Sequence, residues 1–364
     1  MSSIADRVRQ SIPSGMNQQM LASQVEMTPD AFSRALNGKR HFSALELGDL
    51  ARVLDLDLNW LITGEPNPFE VALAARHRWD GSPQHSTQTD MDFIGMVGKA
   101  YEAAFDQEDL NSGLVDLPRD PADVRALLPK GDITTLGERI QAGLGIDVIR
   151  HPNLHTDYSV HVGQRPVILL QAIPQWFRVN WSLAHELGHI ALGHRTDRPD
   201  KTTEWPANQF AAEFLLPEQL MHATEWRLMT ERDLALFLWR YGVSTEALRK
   251  RLDTLQLQPS AVAASSLRQG TVTVLRRHLD AFSEAAFAEP IEQRESQTNS
   301  RRFPSRLVAA LAQRVEAGLV DPMLLAWVRG VGVDDLEEQW PEVGIAPSPS
   351  DFGVEEWFAL LGKR

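Results

Sequence analysis

The chain has 364 residues, 43% of them hydrophobic and 23% charged, and its net charge is −13. This length can hold two or three domains with cores of their own, and the composition is typical of a soluble globular protein. The negative charge argues against a protein that coats nucleic acid, so any contact with DNA must be local. Because cysteine is absent, disulfides and thiolate metal sites are excluded, and a metal must be held by His, Asp or Glu.

Signals for membrane insertion and export are not found in the sequence. No apolar run approaches the ~20 residues that a bilayer-spanning helix needs. The first residues lack the basic and apolar regions of a signal peptide. We therefore expect a cytoplasmic protein with no membrane partner.

Residues 1–65 are predicted to form five short helices, because apolar side chains recur there at helical spacing. One helix begins at Thr28-Pro29, an N-cap followed by a first-position proline, and ends at Asn37-Gly38. The stretch 18–40 resembles the Cro/repressor-type (XRE) helix-turn-helix, and the stretch 54–65 extends this likeness across the small domain. Glu26 departs from the family, which often has a turn glycine at this position.

The resemblance implies a DNA operator as a partner, with a recognition helix from about Thr28 to Leu36. The residues implied at base edges are Thr28, Asp30, Ser33 and Arg34, and those implied near phosphates are Gln18, Asn37, Lys39 and Arg40. Acidic residues offset the basic ones in this domain, so one copy should bind DNA weakly and a homodimer is expected. The alternative is a helix bundle that binds protein and has lost contact with DNA.

Residues 66–130 are predicted to be a linker with connecting helices. Residues 66–90 are the expected hinge, because prolines at 66 and 68 end the first domain and Asp80–Asp90 is polar and rich in turn residues. Between them, Phe69–Arg78 has a short helical pattern. From 131 onward, Thr134–Leu144 predicts an amphipathic helix. Three β-rich runs then predict a small antiparallel sheet: Ile146–Arg150, Tyr158–Val162 and Pro166–Leu170.

A helical run at 181–194 contains the pattern His185-Glu186-x-x-His189. Positions four apart lie on one face of a helix, so His185 and His189 can present two imidazoles to one metal ion. Glu186 can then act on a metal-bound water as a general base without taking a coordination site. The alternative is a core helix with two hydrogen-bonded histidines. His194 fits a supporting position better than a ligand position.

A zinc hydrolase needs a third protein ligand, and the next helix offers Glu204. Thr203 is predicted as the N-cap of this helix, with Pro206 in its first turn. Glu204 and Asn208 share a face, so Glu204 could bind the metal while Asn208 orients a ligating histidine. The alternative is that Glu204 is a first-turn glutamate stabilised by the helix dipole. His151, His155 and His161 could each approach the metal, but isolated histidines are more typical of surface positions.

His185 to His189, followed by Glu204-x-x-Ala207-Asn208 and a downstream Leu215-Leu216-Pro217, resembles the ImmA/IrrE family of metallopeptidases. The likeness covers roughly residues 130–258, and Pro206 departs from it, because acidic residues are frequent there. It implies one Zn²⁺ ion with Glu204 as third ligand, and a repressor-type DNA-binding protein as substrate. In such peptidases a sheet edge beside the metal helix holds the substrate as an added strand.

The remaining sequence carries no catalytic signature. Residues 220–258 are predicted to be helical, Glu284–Ser300 is polar enough for a flexible excursion, and a helical section then runs from Arg301 to Trp340. The apolar stripe Leu307, Leu311 and Val315 suits packing or dimerisation.

These features predict a mainly α, α+β protein. Its parts are a five-helix helix-turn-helix domain at 1–65, the linker at 66–130, a zincin-like peptidase domain at 131–258 and a helical C-terminal region at 259–364. Two functions remain open: a DNA-binding zinc endopeptidase, or a transcriptional regulator whose peptidase-like fold is a non-proteolytic sensor or dimerisation module.

Overall fold

The computed structural model describes residues 3–13, 15–54, 56–65, 67–76, 86–194, 201–278 and 291–339. These residues fall into two units, one within Met1–Glu70 and one within Val71–Ile345. Helices dominate both units, and the larger unit also contains a small sheet. The predicted mainly helical, α+β class is therefore confirmed.

The smaller unit contains the five helices that its apolar spacing predicts. In the part that is described, they are α1 (Ile4–Ser11), α2 (Gln18–Gln24), α3 (Pro29–Leu36), α4 (Ala44–Leu54) and α5 (Leu58–Thr63). Polar caps define where several of them start: Ser3 caps α1, Asn17 caps α2 and Thr28 caps α3. The apolar positions turn inward, so that Leu21 and Phe32 are buried in one shared core.

The turn between α2 and α3 is formed without glycine. Glu26 adopts a left-handed conformation with a φ of 53°. The Met27 N–H then donates to the Ala22 carbonyl at 2.8 Å, which closes the end of α2. A residue with a side chain in this conformation costs roughly 1–2 kcal/mol relative to glycine. The departure at Glu26 therefore leaves the turn in place at a small cost in backbone energy.

Four described strands form the sheet of the larger unit: β1 (Val71–Arg76), β2 (Asp147–His151), β3 (Tyr158–Val162) and β4 (Arg165–Gln171). Their order is β1-β3-β4-β2. β3 is antiparallel to both β1 and β4, whereas β2 is parallel to β4. The sheet is therefore mixed and not wholly antiparallel as predicted. The reason is that β2 lies on the far side of β4, away from β3, and strand spacing along the chain does not determine this order.

The prediction of a short helix at Phe69–Arg78 is wrong, because Val71–Arg76 forms the strand β1. The chain pairs along β3 instead, with Val71 opposite Val162 and a shift of register between Leu73 and Ala75. A short apolar run fits either a helix or a strand, and the open edge of β3 decides for a strand here. Of the hinge predicted at 66–90, residues 66 and 77–85 lie outside the described residues, whereas residues 71–76 form a strand and residues 86–90 are helical.

Helices make up the rest of the larger unit, and α10 is central among them because it packs against β3, β4 and α11. The described helices are α6 (Ser86–Ala104), α7 (Gln107–Asn111), α8 (Pro121–Ala126), α9 (Leu136–Leu144), α10 (Trp176–Leu192), α11 (Lys201–Leu215), α12 (Glu218–Ala223), α13 (Glu231–Tyr241), α14 (Thr245–Thr254), α15 (Ala261–Ser266), α16 (Thr271–Arg276), α17 (Ile291–Thr298), α18 (Ser305–Glu316), α19 (Pro322–Arg329) and α20 (Val333–Gln339). One apolar core joins the inner faces of α9 to α17 with β2 and β4.

α11 starts earlier than predicted. Thr203 is not its N-cap, because the helix already includes Lys201, and Pro206 lies inside the helix and not in its first turn. A proline in this position lacks an N–H, and its ring crowds the carbonyl four residues earlier. Buried contacts of Phe210 and Ala211 with the core stabilise the helix in spite of this.

Part of the predicted flexible excursion at Glu284–Ser300 is helical. In α17, Ile291 is buried, and the Arg294 guanidinium lies 3.5 Å from the centre of the Trp239 ring. The same guanidinium donates to the Trp239 main-chain carbonyl at 2.8 Å. A polar composition suggested disorder, but one long side chain stacked on an aromatic ring anchors the segment. Residues 284–290 lie outside the described residues.

The helical section predicted after Arg301 is confirmed by α18, α19 and α20. Leu307, Leu311 and Val315, the predicted apolar stripe, are buried within the unit, so they serve internal packing. Trp340 lies outside the described residues. None of the helices in the described ranges has both the length and the apolarity that crossing a membrane requires. The domain boundaries proposed at 130 and 258 stay predictions.

Candidate metal centre

α10 carries His185, Glu186 and His189 at buried positions, where each is at most 1% exposed. Leu187 packs into the core beside them, and Gly193, with a φ of 72°, ends the helix. The spacing of four residues places the two imidazoles one above the other, as expected for a helix. Their Nε2 atoms are 3.0 Å apart.

A carboxylate from α11 completes the group. Glu204 Oε2 lies 3.4 Å from His185 Nε2, and Glu204 Oε1 lies 3.5 Å from His189 Nε2. The Glu204 side chain is 22% exposed, so the group is reached from solvent on this side. Within the described ranges, these three residues are the one group of His, Asp and Glu whose donor atoms converge closely enough to hold a metal ion.

The separations between the donor atoms fit a single small cation. Zinc in a tetrahedral site has bonds of about 2.0–2.2 Å, which places neighbouring donor atoms about 3.3 Å apart. The observed separations of 3.0, 3.4 and 3.5 Å bracket this value. Two imidazoles and one carboxylate also match the donors that borderline-soft divalent ions prefer. The three residues therefore could hold one metal ion and leave a fourth position for water.

Glu186 is fully buried next to this group. Burial raises the pKa of its carboxyl well above the ordinary value, and the nearby carboxylates of Asp157 and Glu204 raise it further. The polar groups of Ser159 oppose the shift. A carboxylate with a raised pKa is a stronger base than an exposed one, which is the property that a general base in hydrolysis needs.

Asp157 and Ser159 are site residues that sequence analysis did not identify. Both are buried, Ser159 in β3 and Asp157 just before it, and the Gln171 N–H donates to Asp157 Oδ1 at 2.8 Å. The available signal was a serine flanked by apolar residues in a strand that is otherwise predicted to face the core. That signal shows a buried polar group but does not reveal that Glu186 lies beside it.

Two polar side chains support the candidate ligands. His194 Nδ1 lies 3.0 Å from His189 Nδ1, so His194 can fix the orientation of that imidazole. Asn208 is predicted to orient a histidine, but its amide donates to the Glu204 main-chain carbonyl at 2.9 Å instead. Residues four apart on a helix are neighbours, which lets Asn208 reach back along α11. Asn208 therefore supports the turn that carries Glu204.

α10 and α11 approach closely at Gly188. A Cβ atom at this position would lie 3.1 Å from three atoms of the Phe210 side chain, which is itself buried. The glycine between the two motif histidines thus allows the contact that brings Glu204 towards them. A larger residue would push apart the two helices that carry the candidate ligands.

Other histidines of the peptidase region take part in separate interactions. His155 Nδ1 lies 3.0 Å from Asp90 Oδ1, and the Tyr158 hydroxyl donates to Asp90 Oδ2 at 2.7 Å. Asp90 belongs to the predicted polar hinge, yet it is completely buried in the structure. His151 is buried among aromatic rings, so the surface position expected for it is wrong, and it also does not join the metal-binding group.

The residues that the helix-turn-helix resemblance implies at DNA lie on or near α3. Gln18, Thr28, Asp30, Arg34, Asn37 and Lys39 are exposed, and Ser33 and Arg40 are partly buried. Several of these side chains have structural partners: the Thr28 hydroxyl accepts from Ala31 N–H as the cap of α3, the Asn37 amide donates to the Ser33 carbonyl at 2.9 Å, and Arg40 forms an ion pair with Glu46. Arg34 faces solvent with only a long contact of 4.0 Å to Asp30.

Comparison with known proteins concerns the larger unit. No curated protein and no solved structure matches the chain. Residues 141–253 match the family model described as the IrrE N-terminal-like domain, Peptidase_M78. This match covers under a third of the chain, but it includes His185, Glu186, His189 and Glu204. The part of the chain that contains the candidate metal centre is therefore similar to the peptidase domain of M78 metallopeptidases.

Proposed function

We propose that the chain is a DNA-binding regulatory protein with a zinc endopeptidase centre, which cleaves a peptide bond in a repressor-type protein. The observation that carries this proposal is the convergence of His185, His189 and Glu204 beside the buried Glu186. Burying a carboxyl group is costly, and a helix that served only the core would gain nothing from it. The similarity of residues 141–253 to M78 peptidases supports the same reading.

Each residue has a role in the proposed hydrolysis. His185, His189 and Glu204 would hold the ion. Zinc, when bound, supplies a Lewis acid that polarises the scissile carbonyl and lowers the pKa of water. Glu186 would take the proton from the attacking water and deliver it to the leaving nitrogen. The buried setting of Glu186, whose pKa is raised, suits a group that must hold a proton between these two events.

The substrate is proposed to bind as an extended strand, as in the peptidases that the sequence resembles. β3 lies beside the candidate base, but its outer edge is already paired with β1. Ala75 of β1 lies opposite Ser159, the buried residue that opposes the rise in the pKa of Glu186. A substrate strand would therefore pair with the outer edge of β1 or take the place of β1. Its main-chain hydrogen bonds would provide affinity with little demand on sequence.

The same occupied edge favours a second candidate function. In that case the chain is a transcriptional regulator, and its peptidase-like fold is a sensor or dimerisation module that cuts nothing. β1 would then be a permanent part of the sheet, and the strand position beside Ser159 would never open to a substrate.

Glu186→Gln distinguishes the two functions, because it keeps the shape of the side chain and removes the base. Cleavage of candidate repressors, or of the protein itself, should fall by ~10²–10⁴-fold while zinc content stays at one ion per chain. Glu218→Gln is the matched control, because Glu218 is an exposed carboxylate on α12. A wild-type protein that cuts none of these proteins would support the sensor, and one that loads no zinc would contradict the enzyme.

DNA binding through the smaller unit is a separate part of the proposal. It is supported by the pair α2 and α3 with their tight turn, and by the solvent-facing side chains on and near α3. Because acidic residues offset basic ones in this unit, we propose a homodimer that reads two half-sites of an operator. We place the protein in the cytoplasm, where such an operator is reached.

Arg34→Ala tests this part. Loss of a base contact should weaken binding to an operator selected from random DNA by about 10-fold or more. Arg52→Ala is the matched control, because the Arg34 and Arg52 side chains are 58% and 59% exposed and each lies near an aspartate on its own helix. If Arg34→Ala leaves affinity unchanged, or the wild type selects no DNA, the smaller unit is a protein-binding bundle.

A further inference from the structure

A cavity of about 430 Å³ opens in the larger unit on the side of α10 away from the metal centre. α10 contributes Trp176, Asn180 and Leu183 to its wall, and these residues share one helical face. His185 and His189 lie on the opposite face of the same helix. The volume is within the range of sites that bind small molecules.

Two arginines that line this cavity lie opposite each other in an isolated β-bridge. Arg150 of β2 forms an antiparallel bridge with Arg302: the Arg150 N–H donates to the Arg302 carbonyl at 2.9 Å, and the Arg302 N–H donates to the Arg150 carbonyl at 2.8 Å. Residues directly opposite in such a bridge project to the same face. Like charges in this arrangement destabilise a sheet, so the pair costs free energy in the absence of a counter-charge.

The protein provides only part of that counter-charge. Glu138 is the one acidic residue among the described residues that line the cavity, and it forms an ion pair with Arg302. The Arg150 guanidinium forms neither a hydrogen bond nor an ion pair with any described residue. Burial and the charge of Arg302 lower the pKa of Arg150 to about 10. Two guanidinium groups therefore share one carboxylate, and one positive charge is left over.

The other arginines at the cavity are already engaged. Arg294 stacks on Trp239, and Arg301 contacts the His151 ring. Among these arginines, Arg150 is thus the one whose guanidinium is left to bind a ligand. Next to it the wall is apolar, with Val148 and Leu170 from the sheet and Trp176 and Leu183 from α10. A complementary ligand has an anionic head and an apolar body.

We propose that this cavity binds a small organic anion, whose carboxylate or phosphate group lies between Arg150 and Arg302 and whose apolar part packs on Trp176 and Leu183. A guanidinium donates two parallel hydrogen bonds to either head group. The proposal concerns a site apart from the metal centre and does not depend on proteolysis. It also gives the bridge between Arg150 and Arg302 a function that compensates its cost in stability.

Calorimetric titration of the full-length, zinc-loaded chain tests the proposal. The probes are benzoate and phenyl phosphate, with neutral benzamide as the uncharged analogue. We expect saturable binding of at least one anion and binding of benzamide about 10-fold weaker or worse. The stronger of the two anions identifies the head group as carboxylate or phosphate.

Variants locate the site. Arg150→Gln should weaken anion binding by about 10-fold or more. Arg150→Lys keeps the charge but loses the two parallel donors of a guanidinium, so its affinity for the anion should lie between those of Arg150→Gln and the wild type. Arg249→Gln, at an exposed arginine on α14, should leave binding unchanged. Circular dichroism and the melting temperature show whether Arg150→Gln is folded, which we expect because the variant removes one of two like charges.

Three results would overturn the proposal. The first is anion binding that is as strong in Arg150→Gln as in the wild type. If this binding is lost only when zinc is removed, the anion binds at the metal centre. The second is equal affinity for benzoate and benzamide. The third is the absence of saturable binding for every probe up to millimolar concentration.

Discussion

Buried histidines occur in two regions of the larger unit, and the groups around them carry opposite charge. His185 and His189 meet the carboxylate of Glu204. His151 contacts the guanidinium of Arg301 and is enclosed by aromatic rings. The first setting attracts a cation and the second disfavours even a proton, because burial and Arg301 lower the pKa of His151 to about 4. The comparison shows that neighbouring charge decides whether a buried imidazole can bind metal or only fill space.

The two regions also differ in how their residues come together. His185, His189 and Glu204 belong to consecutive helices, whereas His151 and Arg301 are 150 residues apart in the chain. The first region can be read from a local motif. The second depends on contacts between the sheet and the C-terminal part, and no local pattern indicates them.

The largest effect is expected for Glu204→Ala. This variant removes the carboxylate from the metal centre, so that His185 and His189, like His151, no longer have that negative charge beside them. Zinc affinity should fall by at least ~100-fold, because the ion loses a charged donor. Competition with a chromogenic chelator measures this. Glu218→Ala, which removes an exposed carboxylate on α12, should leave the affinity unchanged, and equal zinc affinity in both variants would show that Glu204 is not a ligand.

His151 should make stability depend on pH. Its pKa is about 4 in the folded chain against 6.5 for an ordinary histidine. As pH falls from about 6.5 towards 4, the unfolded chain takes up a proton that the folded chain does not, so up to about 3 kcal/mol of stability is lost in this window. Urea unfolding at pH about 7 and about 5 measures the loss, and His151→Leu should reduce it.

The control for this prediction is His222→Gln, because His222 is half-exposed and lies near Glu218. That variant should keep the pH dependence of the wild type. If His151→Leu also keeps it, the histidine is not held neutral by its surroundings, and the contrast between the two regions would be lost.

A smaller effect is expected for Gly188→Ala. The added methyl group would meet the buried Phe210 side chain at 3.1 Å, so the variant should lose about 1–3 kcal/mol of stability. Zinc binding should weaken as well, because Glu204 would move away from the two histidines together with α11. Thermal unfolding and zinc titration measure the two effects.

Gly95→Ala in α6 is the matched control, because a Cβ atom there meets no other atom within 4 Å. It should be stabilising by about 0.5–1 kcal/mol, since alanine is the better helix former. If Gly188→Ala behaves in the same way, the close approach of α10 and α11 is not needed for the metal centre.

Several features followed from local patterns in the amino-acid sequence. The five helices of the smaller unit, the cap at Thr28 and the helix that carries His185 and His189 were all predicted, because caps and helical spacing act within one or two turns. Glu204 was also indicated, since the next helix along the chain packs directly on α10. Short-range interactions dominate at each of these places.

Long-range packing decided the rest. β1 is a strand only because β3 offers an unpaired edge, and β2 is parallel only because it lies beyond β4. In the same way, Ser159 lies beside Glu186, and Arg302 lies opposite Arg150, through contacts between distant parts of the chain. The energy of such contacts depends on both partners and on the surface that they bury together, so neither segment specifies them alone.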